Sequence, residues 1–355
     1  MKVTKKIMFF VLVLLMVGCQ EQEQDQNEES TPSSEFNEQL AMVITESEAR
    51  FALDDLIEIV GGSYHFDDIH RTLEVTINED EFKLIDGVPV VERNGEYLPT
   101  EEIYLISEGE KGQEKLFLPV EFIEIALGVP VQFEEEHVTF AWYGPTEKVG
   151  GPPETFDFEQ WDVDQMVEYL SFLQKPIKNA EVSKVSNHLP GAPRAYRNGF
   201  HEGIDWYDFA SGGNINTDTP VYAMAEGVVV RADHNFVEYE SPAERNIDLA
   251  YTEELGETPE YIFDRLRGRQ VWVQYPGGVM NRFAHLDAIP EGLQVGDRVN
   301  AETIIGYVGN SGTSGAVNQD LTELHLHQDL LIYGELFWKP LSQEEVLEVL
   351  EGIWD

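Results

Sequence analysis

Leu324-His325-Leu326-His327-Gln328-Asp329-Leu330-Leu331-Ile332, near the C-terminal end of the chain, is apolar with polar interruptions. The pattern predicts a strand. In a strand, residues two apart face one side, so His325 and His327 project together and Leu326 faces the other way. Two parallel imidazoles can hold one metal ion, or one can hold it while its neighbour moves protons. Upstream, His201-Glu202-Gly203-Ile204-Asp205 supplies two further candidate zinc ligands, His201 and Asp205. Residues four apart in a straight strand are about 13 Å apart. Atoms each about 2 Å from one zinc ion cannot be so distant. A helix would bring them together, but Gly203 and the following Trp206-Tyr207 argue against one. The chain must therefore bend between the two, and Gly203 is the residue that permits it. A third element, Phe283-Ala284-His285-Leu286, lies between these two.

Together the three elements resemble the lysostaphin/LytM family of zinc endopeptidases, which cleave peptide crosslinks of bacterial cell walls. The family pattern is His-x-x-x-Asp, a later aromatic-x-His-Leu segment, and a final His-x-His. Thr219-Pro220-Val221-Tyr222-Ala223, Val295-Gly296-Asp297-Arg298-Val299, Ile305-Gly306-Tyr307-Val308-Gly309 and Ser311-Gly312-Thr313-Ser314-Gly315 are similar to its intervening pieces, over about Leu189 to Leu341. The resemblance implies an antiparallel β-sheet groove, and the Gly-bounded apolar runs fit that. It implies zinc on His201, Asp205 and His327, with a fourth position for water. It also implies His325 as general base and His285 as the group that stabilises the oxyanion. The chain departs from the pattern in an insertion at about 232–267, with helical signals near 251–254 and 262–266, and in extra residues 317–323. Both are read as decoration of the groove rim. His188 and His234 match no family ligand and are read as bystanders.

The chain has 355 residues, about two domains' worth. Its 42% hydrophobic content excludes wholesale disorder. With 23 Lys+Arg against 67 Asp+Glu, the net charge of -44 argues against nucleic-acid binding and against a basic membrane patch. One cysteine, Cys19, excludes an intrachain disulfide and any Cys-based zinc cluster. Lys2, Lys5 and Lys6, an apolar run from Ile7 to Val17, and Gly18 make a secretory signal. Met16-Val17-Gly18-Cys19 resembles the lipobox of bacterial lipoproteins, which implies cleavage after residue 18, lipidation of Cys19, and an extracytoplasmic protein anchored to the cell membrane.

Residues 19–47 read as an acidic flexible tether. From 48 to 143, alternating segments such as Leu73-Glu74-Val75-Thr76-Ile77 predict strands, Asn94-Gly95 a hairpin, and Glu121 to Leu127 a short helix. This stretch resembles the small α+β stalk domain named after the N-terminal domain of copper amine oxidases, which implies a spacer or a contact with envelope proteins. His65, His70 and His137 lack ligand spacing and read as ordinary histidines. Residues 144–187 form a linker with a connecting helix near 156–173, and residues 188–355 the peptidase-like domain, closed by a helix that opens at Ser342-Gln343-Glu344-Glu345. The expected fold is mainly β with α+β elements: an antiparallel groove domain plus a small N-terminal domain.

The leading expectation is a zinc-dependent endopeptidase acting on peptidoglycan stem peptides or crossbridges. Two alternatives remain: a catalytically silent relative that binds wall peptides and regulates another hydrolase, and a structural envelope protein in which the histidines are coincidental.

Overall fold

The computed structural model describes residues 36–45, 48–144 and 147–354. The leader, Cys19 and most of the 19–47 stretch lie outside the described residues. The protein is mainly β with α+β elements, its strands pairing antiparallel in six sheets. No described helix is long and apolar enough to cross a membrane.

The sheet that positions the site has seven strands. They are β1 (Ile204–Trp206), β2 (Gly227–Ala232), β3 (Val271–Gln274), β4 (Val279–Ala284), β5 (Arg298–Val299), β6 (Leu326–Ile332) and β7 (Glu335–Leu336). The order is β1-β6-β4-β3-β2-β5, with β7 on the far end of β6. The register sets Asp205 opposite His327, His327 opposite Ala284, and Asp329 opposite Arg282. Alternation then gives the sheet two unlike faces. Ile204, Trp206, Phe283, Leu326 and Leu330 face the main apolar core. Asp205, His327 and Asp329 face the other way. Gln328, on the core face and fully buried, is satisfied by Trp206 Nε1 at 3.1 Å and by Asn281 Oδ1 at 2.8 Å.

Two helices fill the insertion between β2 and β3: α1 (Pro242–Leu255) and α2 (Glu260–Leu266). Ser241 caps α1 by accepting from the Glu244 N–H at 3.2 Å, and Gly256 ends it in the left-handed conformation. The final helix, α3 (Gln343–Trp354), opens at the expected box: Ser342 N–H donates to Glu345 Oε2 at 2.7 Å, and Glu345 N–H to Ser342 Oγ at 3.4 Å.

The N-terminal region has its own core around Phe51, Leu73, Phe82, Leu118 and Phe122. Two expectations shift here. Strands at Glu38–Ala41 and Val43–Ile44 lie inside the stretch expected to be tether, because Leu40 is buried and Glu38–Ala41 pairs with His137–Phe140. The linker is likewise partly core. From Phe158 onward it buries Met166, Leu170, Leu173, Ile177 and Val182 against the sheet, and its helix is only Val163–Leu170. The expected helix at 121–127 is a π-helical turn at Phe122–Ala126. The described residues from 36 to 354 form one unit. Ile85, Val88, Val90 and Tyr97 of the N-terminal region pack with Val230, Trp272, Met280 and Leu331 of the seven-stranded sheet.

Candidate metal centre

His201 lies just outside β1, held by two backbone bonds: its N–H donates to Ala192 O at 2.7 Å, and its carbonyl accepts from Gly191 N–H at 2.8 Å. The chain then bends and enters β1 with Asp205 on the face opposite the core. Gly203 makes this possible through close approach. A Cβ there would sit 2.2 Å from Gln328 O and 2.7 Å from Asp329 Oδ1. His285 follows β4 at a φ of 59°, and its N–H donates to Arg267 O at 2.8 Å. A left-handed histidine is uncommon and costs on the order of 1 kcal/mol or more. Here it turns the ring toward the strand ends. His325 precedes β6 and bridges to Gly309.

Three side-chain atoms converge. His201 Nε2 lies 2.9 Å from Asp205 Oδ1 and 3.2 Å from His327 Nδ1, and His327 Nδ1 lies 2.9 Å from Asp205 Oδ1. A tetrahedral ion with ligands at about 2.0–2.1 Å requires ligand-to-ligand edges of about 3.3 Å. The triangle has that size. All three residues are buried.

The tautomers strengthen the case. His201 Nδ1 is 3.0 Å from Leu189 O, His325 Nδ1 is 2.6 Å from Glu323 O, and His285 Nδ1 is 2.7 Å from Ser311 O. Carbonyl oxygens only accept, so each of these nitrogens carries the proton. His327 Nε2 faces the Asp329 carboxylate at 2.7 Å in the same manner. In the neutral rings the opposite nitrogens are lone pairs. Those of His201 and His327 meet each other and the Asp205 carboxylate, three acceptors with no donor among them. Such a buried cluster calls for a cation. Asp329 is held in turn by Arg267 Nε at 3.0 Å. Outward partners of this kind fix ligand rings in metal sites.

The titration of these groups reflects the same crowding. Burial would raise the Asp205 carboxyl, but His201 and His325 outweigh it and hold the group well below the usual carboxylate range. Burial lowers His201. It lowers His285 strongly, with His325 and His327 adding to the effect. Burial would also lower His327, but Asp329 and Asp205 prevail and raise it to about 9.

His285, His325 and His327 form a second group whose ligand atoms lie within 4.8 Å of one another. The His285 and His325 rings are 4.7 Å apart, and Tyr207 stacks on His325 at 4.3 Å and 11°. The structure thus brings His201, Asp205, His285, His325 and His327 into one cleft of about 920 Å³. Cys19 lies outside the described residues. His234 bonds Leu293 O and lies outside the cleft lining. His188, expected to be a bystander, lines the cleft, tilted against Tyr207 at 4.8 Å. The insertion, expected to be rim decoration, supplies Arg245, Leu249 and Phe263 to the cleft wall.

Sequence reasoning missed Arg194, whose Nη2 is 3.3 Å from Asp205 Oδ2, and it missed Asp329 and Arg267. Asp329 had a signal: it continues the period of two from His325 and His327. The arginines had none, because they reach the site from a hairpin and from the end of the insertion.

No protein-family model matches the chain, and no curated protein matches it. Solved structures do. The chain is similar to LytU at 25% identity, over 39% of this chain and 66% of that one, with a TM-score of 0.24. It is similar to the catalytic domain of the antimicrobial peptidase lysostaphin from Staphylococcus simulans at 20% identity, over 49% and 95%, with a TM-score of 0.28. It is also similar to a zinc-containing peptidase from Vibrio cholerae at 14% identity, over 73% and 56%, with a TM-score of 0.29.

Proposed function

We propose that this chain is a zinc-dependent peptidase that hydrolyses peptide bonds of peptidoglycan, held at the outer face of the cell membrane through a lipid on Cys19. The observation that carries the reading is the triangle of His201 Nε2, Asp205 Oδ1 and His327 Nδ1, with edges of 2.9, 2.9 and 3.2 Å. Two imidazoles and one carboxylate are a zinc donor set, and three protein ligands leave a position for solvent or substrate. When bound, zinc supplies Lewis acidity: it polarises a carbonyl and makes water a stronger acid.

The remaining residues have definable tasks. His325 presents Nε2 as a lone pair, because Glu323 O holds the proton on Nδ1. It can therefore accept a proton from water entering the cleft, with its ring stacked on Tyr207. His285 is arranged alike through Ser311 O, so its neutral ring accepts at Nε2. It donates to an oxyanion only after gaining a proton, and burial opposes that gain. Arg194 carries a permanent positive charge beside Asp205 and lines the cleft. Asp329 fixes the His327 ring, and Gly203 lets β1 approach β6 closely enough to close the triangle.

The test is zinc stoichiometry together with hydrolysis of purified wall peptides. One zinc per chain and new amine termini are expected, both absent in His201→Ala. Wild type that takes up no zinc and releases no amine ends the reading.

A further inference from the structure

The insertion does more than border the cleft. On one wall, Asn198 Nδ2 donates to Gly256 O at 2.7 Å and Thr258 Oγ1 to Arg197 O at 3.1 Å. At a second stretch, Arg245 Nε donates to Gly312 O at 3.1 Å and Gly312 N–H to Glu238 Oε2 at 2.7 Å. The segment from Glu238 to Thr258 is thus bonded to two separate stretches of the cleft border, around Arg197 and around Gly312.

The charge in this cleft is unlike that of the rest of the chain. Four of the chain's 23 Lys+Arg line it, but only three of its 67 Asp+Glu. Those three are engaged. Asp205 belongs to the metal triangle, Glu202 is gripped by both terminal nitrogens of Arg197, and Glu323 Oε2 accepts from Ser314 Oγ and from Gly315 N–H at 3.3 Å. Three arginines are likewise matched: Arg197 with Glu202, Arg267 with Asp329, and Arg194 with Asp205. Arg245 alone of the four has no carboxylate within ion-pair distance among the described residues. Its Nε is fixed on Gly312 O, and its two terminal nitrogens have no hydrogen-bond partner among the described residues. A guanidinium fork so held matches a carboxylate in bidentate geometry.

We infer that this segment closes one end of the cleft and that Arg245 is a substrate carboxylate receptor there, so that the preferred substrate is a peptide ending in a free carboxylate rather than an uncharged strand running through. This deepens the peptidase reading and rests on it for the chemistry, though not for the binding. The shared chemistry is a peptide carboxylate, and a terminal one fits an end that stops.

The probe is N-acetyl-L-Ala-γ-D-Glu-L-Lys-D-Ala, which carries one side-branch and one terminal carboxylate, with its two mono-amides. Titration calorimetry on the full zinc-loaded chain reads the affinity of each. Terminal amidation is expected to weaken wild-type binding about 10- to 100-fold, the loss of one charge-assisted pair. Side-branch amidation is expected to change it little. Arg245→Gln is expected to bind acid and terminal amide alike, and Arg245→Lys to keep part of the preference. Equal binding of all three peptides by wild type, or no binding of any, overturns the inference, as does undiminished discrimination by Arg245→Gln. A loss on side-branch amidation alone overturns the terminal assignment. Zinc content and hydrolysis measured on the same samples keep the two readings apart: a chain that discriminates but does not cut loses the peptidase reading and keeps this one.

Discussion

One face of the seven-stranded sheet carries two unlike regions. At one end it holds Asp205 and His327 beneath an open cleft. Farther along the same strands, Met280, Leu331, Trp272 and Val230 are covered by the N-terminal region. Between them lies a charged layer, with Asp329 gripped by Arg267 at 3.0 Å and 3.9 Å from Arg282. The register explains the gradation. His327, Asp329 and Leu331 are two apart on β6, so one strand passes from cleft imidazole to buried ion pair to apolar contact without changing face. The cleft end owes its order to outward hydrogen bonds on each ring, and the docked end to packing. An N-terminal region that did not dock on the sheet would leave Trp272 in water. Here its ring meets Tyr97 edge-on at 5.1 Å and 84°.

The sharpest break of this comparison is at the ligands. Asp205→Ala and His327→Ala are each expected to abolish zinc retention through gel filtration and bring hydrolysis to background, while near-ultraviolet circular dichroism from Trp272 stays as in wild type. Loss of the docked-end signal in either variant would show that the two regions are not separately stabilised. Trp272→Ala comes next, at about 3–5 kcal/mol of stability for a buried tryptophan. It attacks the docked end and is read by denaturant unfolding of the full chain. A cost under about 1 kcal/mol would mean that the N-terminal region does not pack there in solution.

Much of the cleft end was legible because its chemistry is periodic and local. His325 and His327 are two apart in an apolar run, and His201 and Asp205 flank a glycine that no strand or helix explains well. The docked end was opaque for the opposite reason. Tyr97 and Trp272 are 175 positions apart, and nothing in either local pattern distinguishes an interface aromatic from an ordinary core residue. The same holds for the 144–187 stretch. Its Gly/Pro opening announces a linker, but the burial of Leu170 and Ile177 depends on a sheet that the chain has not yet formed. Arg194 and Arg245 escaped notice because a charge on a short hairpin or on a polar helix looks solvated until its neighbours are known.

Asp329→Asn sharpens the boundary between the two regions. The carboxylate faces His327 Nε2 at 2.7 Å and is fully buried. The amide can still accept from the ring but has lost its charge, so Arg267 keeps only a neutral partner. Removing such a group behind a ligand typically weakens metal binding about 10- to 100-fold. Competition against a chromophoric chelator measures this, and an unchanged affinity would place the ring's orientation elsewhere.

Tyr97→Phe is the finest probe. Arg282 Nη2 donates to Tyr97 Oη at 3.0 Å, while the same guanidinium lies over the Trp272 ring at 4.5 Å and only 3.9 Å from Asp329. Losing the hydroxyl removes one buried hydrogen bond to a charged group, about 1.5–3 kcal/mol at most. Zinc affinity is expected to stay within about twofold, because Arg267, at hydrogen-bonding distance, rather than Arg282 fixes Asp329. Stability and affinity should therefore separate: the midpoint of urea unfolding falls, and the chelator titration does not move. If both move together, the charged layer transmits what happens at the docked end to His327, and the two regions are one mechanical unit.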